Sequence, residues 1–226
     1  MTQANDYAEL ALKFAAYVQK LSFPCAGARS AFNRNRVRFG LYEGLGDGYD
    51  VIQLCEDLNA FSLEFPDPES DPVTFIAMFK QSFDTPQEFD HRLWQHLQAM
   101  HDSDIKNYVW DSSVSANPAS SEFSFSIAGR AFFIVGLSPV SQRIARRAPM
   151  PCLVFNFHNQ FESMRISGEY NKLQKGIRKL DQALQGSINP MLSKFGQDSE
   201  ARQYSGLNFT EEWKCPFQQR KMPNEK

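Results

Sequence analysis

The sequence predicts an α+β fold, a single domain over residues 1–226 built on a mixed, largely antiparallel sheet with helices packed around it. Three observations carry this. Five short runs, residues 36–42, 73–79, 123–128, 131–137 and 152–157, have strand composition. Longer stretches between them repeat apolar residues at helical spacing. Across 226 residues there is no internal repeat and no linker that would split the chain.

Asn5 or Asp6 is expected to cap a first helix carrying Leu10, Phe14, Tyr17, Val18 and Leu21, which stops at Ser22-Phe23-Pro24-Cys25. Val37, Phe39 and Leu41 alternate with Arg36, Arg38 and Tyr42, as one strand with two faces requires. The GLGDG that follows lacks both the P-loop and the dinucleotide-binding spacing, so it reads as a plain loop before a helix over residues 49–61. Prolines 66, 68 and 72 with their acidic neighbours make a surface connection, and the strand over 73–79 comes next.

Thr85-Pro86-Gln87-Glu88 opens a helix with proline in its first turn. His91, His96 and His101 recur every five residues, about 140° apart around a helix, so they share no metal-binding face and read as solvated. Residues 111–121 are a loop, and the runs on either side of Gly129-Arg130 suggest a hairpin. After the strand over 152–157, an amphipathic helix is expected over 163–184, weakened by Gly168 and Gly176 and ended by Gly186. The tail spends Tyr204, Trp213, Cys215 and Phe217 in few residues, so it is expected to fold back onto the body.

Net charge of -2 and a pI near 6.1 exclude a general nucleic-acid binder, which needs an excess of cations for phosphate. No basic, apolar leader opens the chain, and no apolar run reaches the roughly 18 residues of a membrane span. The expectation is a soluble, cytoplasmic protein with reduced thiols. Cys25, Cys55, Cys152 and Cys215 form no C-x-x-C pair, which disfavours structural zinc and covalently attached c-type haem.

The hydrolase elbow, the H-E-x-x-H helix and the Walker motif are all absent, and a Cys25–His158 dyad lacks a third orienting group. A haem site needs one sulfur or nitrogen ligand, apolar and aromatic walls, and cations for the propionates. His158, Cys25 or Cys215 could supply the first, the 20 phenylalanines the second, and Arg143, Arg146 and Arg147 the third.

The segment LSPVSQRIARRAPMPCLVFNFHNQFESMR, preceded by FPCAGARSAF and followed by IRKLDQALQGSINPMLSKFG, SEARQYSG and WKCPF, resembles the YqcI/YcgG family from about Phe23 to Phe217. The resemblance implies a haem-dependent oxygenase of secondary metabolism that N-hydroxylates the guanidine group of arginine or of an arginine-derived metabolite. It makes His158 the first choice for axial ligand to the iron of haem b, with Cys25 and Cys215 as thiolate competitors and Asn156 and Gln160 as candidates to hold the free imidazole nitrogen. Arg143, Arg146, Arg147 and Arg165 would meet propionates, and Glu162, Asp198 and Glu200 are the carboxylates that would match a guanidinium. The chain has Ser-Gln-Arg where the family has Ser-Arg, and Asn-Phe-His in place of Asn-Pro-His. Dioxygen would be the co-substrate and an external donor the source of electrons, because no nicotinamide or flavin fingerprint is present. The alternative from another class is a haem-binding sensor or carrier without turnover, and a third is a haem-free interaction protein.

Overall fold

The computed structural model describes residues 2–20, 22–46, 48–67, 72–191, 198–210 and 212–220. Leu21, residues 68–71 of the proline-rich connection, and residues 192–196 of the INPMLSKFG motif lie outside the described residues.

Five strands form one sheet in the order β1-β2-β5-β4-β3, where β1 is Val37–Tyr42, β2 Thr74–Phe79, β3 Phe125–Ile127, β4 Arg130–Leu137 and β5 Cys152–Phe157. Only β1 and β2 run parallel; the other three pairings are antiparallel, so the sheet is mixed and largely antiparallel as its sequence predicts. The parallel pair needs a crossover, and α3 (Val51–Glu64) provides it. The hairpin between β3 and β4 turns on Ala128 and Gly129, both at positive φ, with Ile127 paired to Arg130. Two consecutive positive-φ residues match the twist of the flanking strands. The turn therefore sits one residue before the expected position.

Alternation sorts the strands into two cores. Phe75, Ala77, Phe79, Leu153, Phe155, Phe157, Phe132 and Ile134 face α3 and α4 (Pro86–Asp104), in a phenylalanine-rich layer that includes the stacked pair Phe132–Phe157, 4.9 Å between ring centres. Val37, Ile76, Met78, Leu137 and Cys152 face α1 (Thr2–Val18) and α2 (Ala26–Asn33). The tail lies on the α4 side, where Tyr204 and Phe217 are buried and Trp213 packs on Trp94.

Three local expectations are corrected, and one helix is added. The first helix begins at Thr2, which places Asn5 and Asp6 inside it. The helix α2, only 8 residues long, was not foreseen from the sequence; Cys25 caps it, its sulfur accepting from Ala28 N at 3.4 Å. The helix expected over 163–184 is two helices, α5 (His158–Ile166) and α6 (Glu169–Gln185), because the chain turns at Gly168 with φ of 78° before resuming; α6 ends at Gly186. Of the three histidines only His91 is exposed. His96 and His101 are buried because each ring finds a backbone donor, Gly46 N to His96 Nδ1 at 3.1 Å and Arg220 N to His101 Nε2 at 2.9 Å.

Candidate functional site

A cavity of about 260 Å³ opens between the α1/α2 face of the sheet and α6. Its floor is Phe133, Val135 and Leu137 of β4 with Asn156 of β5, side chains brought to one face by the period of two in a strand. Leu173 and Ile177 of α6, four residues apart and so on one helix face, form the opposite wall, and Phe23, Phe161 and Tyr170 add aromatic surface.

The FPC turn delivers Cys25 to this cavity. Burial pushes its thiol up, while the amides of Ala28 and Gly27 and the Arg29 charge pull the other way. A sulfur at a helix N-terminus receiving backbone N–H groups is preorganised to carry negative charge once a metal offsets the burial. Cys215 packs against the core on the other face of the sheet, where burial pushes its thiol up to about 12.

Arg143 and Arg146 line the cavity, both buried and both already engaged. Arg143 Nη2 donates to Asp181 Oδ2 and to the Ser187 carbonyl, 2.5 Å each, and its Nη1 donates to Ser187 Oγ at 3.0 Å. Its Nε is a buried donor with no partner among the described residues. Arg146 donates from Nη1 to the carbonyls of Gly136 and Tyr204, and burial holds its guanidinium down to about 10. Arg147 is exposed and bonded to the Ser141 and Gln142 carbonyls, and Arg165 is exposed and bonded to Glu162; neither lines the cavity.

His158, the first choice for iron ligand, is not a wall residue. Phe157 ends β5 and His158 begins α5, which turns the ring toward carboxylates: Nδ1 lies 3.8 Å from Glu200 Oε2 and Nε2 lies 3.9 Å from Glu162 Oε1. Its candidate partners are occupied elsewhere. Gln160 clamps Val73 through two backbone hydrogen bonds, and Asn156 donates to the Phe133 carbonyl.

The three acids are separated by the fold. Asp198 and Glu200 line the cavity, Asp198 on its exposed side and Glu200 buried, whereas Glu162 does not reach it. Glu200 accepts from Tyr204 Oη and from Ser124 Oγ at 2.9 Å. Burial pushes its carboxyl up, opposed by His158, Tyr204 and Ser124. Sequence reasoning missed Asp181, Ser124 and the sheet floor. The alternation Phe133, Val135, Leu137 was a signal for the floor, but nothing local tied Asp181 to Arg143, 38 residues away.

The residue types on the walls are of the kinds that could hold a haem: a cysteine for the iron, apolar and aromatic side chains for the ring, and a buried arginine Nε without a partner among the described residues for a propionate. Among the described residues no three metal-ligating side chains cluster, and haem iron needs only one from the protein. No described helix is long and apolar enough to cross a membrane. The family model described as the YqcI/YcgG family matches residues 14–218. No curated protein and no solved structure matches the chain.

Proposed function

The chain belongs to the YqcI/YcgG family, and from that premise we propose that it is a cytoplasmic, haem-dependent oxygenase that N-hydroxylates the guanidine group of arginine or an arginine-derived metabolite. The observation that carries this reading is the apolar cavity that has Cys25, the Arg143 donor and, besides the Arg143-paired Asp181, the carboxylates Asp198 and Glu200 on its walls. Bound there, haem supplies dioxygen activation with electrons from an external reductant.

The protein's own residues would do the rest. Cys25, ahead of His158, would hold the haem iron, because it lines the cavity while His158 does not and its sulfur is backed by the Ala28 amide. Arg143 would meet a propionate through Nε, held in place by Asp181. Asp198, on the exposed side, would accept the planar N–H donors of the incoming guanidinium. Leu173, Ile177 and Phe133 of the apolar wall would help to exclude water there. The overall change, guanidine plus dioxygen plus two electrons and two protons giving N-hydroxyguanidine and water, consumes protons that the cavity must receive.

The test is oxygen consumption by haem-loaded protein with reductant and a panel of arginine-derived guanidines, with mass spectrometry of products. A product heavier by one oxygen supports the reading. Haem uptake with no such product across the panel identifies a sensor or carrier, and no uptake identifies a haem-free protein.

A further inference from the structure

Three side chains from two distant segments line up between the surface and the cavity. Glu162 is about one-third exposed, His158 13 % and Glu200 6 %. Glu162 Oε2 is held by Arg165 Nη2 at 2.6 Å, while its Oε1 is the atom 3.9 Å from His158 Nε2. The other ring nitrogen, Nδ1, is 3.8 Å from Glu200 Oε2. Oε1 of Glu200 carries the two bonds from Tyr204 and Ser124. Each carboxylate thus has one oxygen anchored and the other turned to the imidazole. Glu200 also lines the cavity.

An imidazole between two acids, one wet and one dry, is a unit that moves protons, because it can accept at one nitrogen while donating from the other. The two gaps exceed a direct hydrogen bond of roughly 3 Å, so transfer across each needs a small side-chain rotation or a bridging water. Neither acid is a wall against the other: the ring is the connection between them.

We propose that Glu162, His158 and Glu200 form a proton path from solvent to the cavity. A solvent proton taken by Glu162 passes to His158 Nε2. The ring then releases the Nδ1 proton to Glu200 Oε2, and Glu200 presents it to the cavity, where oxygen reduction would consume it, after which the ring returns to its first tautomer. One proton moves per passage, so two passages supply one turnover. The destination of the proton rests on the oxygenase reading; the path itself does not.

The path is testable in the protein as isolated. In samples acidified until Glu200 carries a proton, its infrared carbonyl band is identified by its loss in Glu200→Gln, and the rate of its shift on transfer to heavy water reports how fast solvent protons reach it. Exchange is expected to slow about tenfold or more in Glu162→Gln and in His158→Ala, and added imidazole should restore it only in His158→Ala. Glu162 is a surface residue, so the Glu162→Gln protein keeps the test sound should the His158 variant misfold. Unchanged exchange in both variants would mean that protons enter through the cavity mouth, and would overturn the path. In turnover, the same variants should show an enlarged solvent isotope effect. Slowed exchange without any oxidised guanidine would sink the oxygenase reading and leave the path standing.

Discussion

Arg143 Nη2 and Asp181 Oδ2 lie 2.5 Å apart, with both side chains about 95 % buried, and this pair ties the 3-10 turn Ile144–Arg146 to α6. The same Asp181 oxygen accepts from Asn189 N at 2.8 Å, so the carboxylate also fixes the chain leaving α6. One side of the cavity is therefore held by a buried ion pair and not by apolar packing alone.

Removing one partner leaves the other charge buried and uncompensated. Asp181→Ala should lower stability by about 3–5 kcal/mol in urea unfolding, whereas the double change Arg143→Met, Asp181→Leu should recover most of that loss. Equal losses in the single and double variants would contradict the pairing.

Asp104 holds the turn of the β3–β4 hairpin, its Oδ1 accepting from Ala128 N at 2.9 Å. Burial pushes its carboxyl up from 3.8 to about 6, with the Ala128 amide opposing. The folded state then holds this proton more tightly than the unfolded chain, so stability falls as pH rises between these values and levels off above about 6. Asp104→Asn, which keeps the acceptor, should flatten that slope when urea midpoints are measured from pH 4 to 7 (about one unit apart).

His101 fixes the tail by accepting from Arg220 N, with Trp110 and Phe217 packed edge-on to its ring. Burial lowers its proton affinity below the ordinary value of 6.5, so its contribution is complete above that pH and is lost as pH falls through the window below it. Hydrogen exchange at Arg220, corrected for intrinsic rates, should therefore accelerate in acid. His101→Gln should show much weaker acid dependence.

The sheet was legible because its strands carry period-two alternation with both faces buried, which is plain in Val37, Phe39 and Leu41 against Tyr42. The break between α5 and α6 was less legible, because the apolar residues on either side of Gly168 continue a helical rhythm through it. The site was legible in its parts: Cys25, Arg143, Arg146, Asp198 and Glu200 all reach the cavity. Their relations were not. His158 and Glu200 are 42 residues apart, and only the docking of the tail beside the start of α5 sets imidazole against carboxylate. The exposed faces of Arg147 and Arg165 also carry no sequence mark that separates them from the buried Arg143 and Arg146.

The measurement that tests the account most directly is the absorption spectrum of haem-loaded protein, reduced and exposed to carbon monoxide, for wild type, Cys25→Ala and His158→Ala. The account predicts a thiolate-type spectrum that is lost in Cys25→Ala and kept in His158→Ala. An imidazole-type spectrum lost only in His158→Ala, or no haem uptake by wild type, would contradict it.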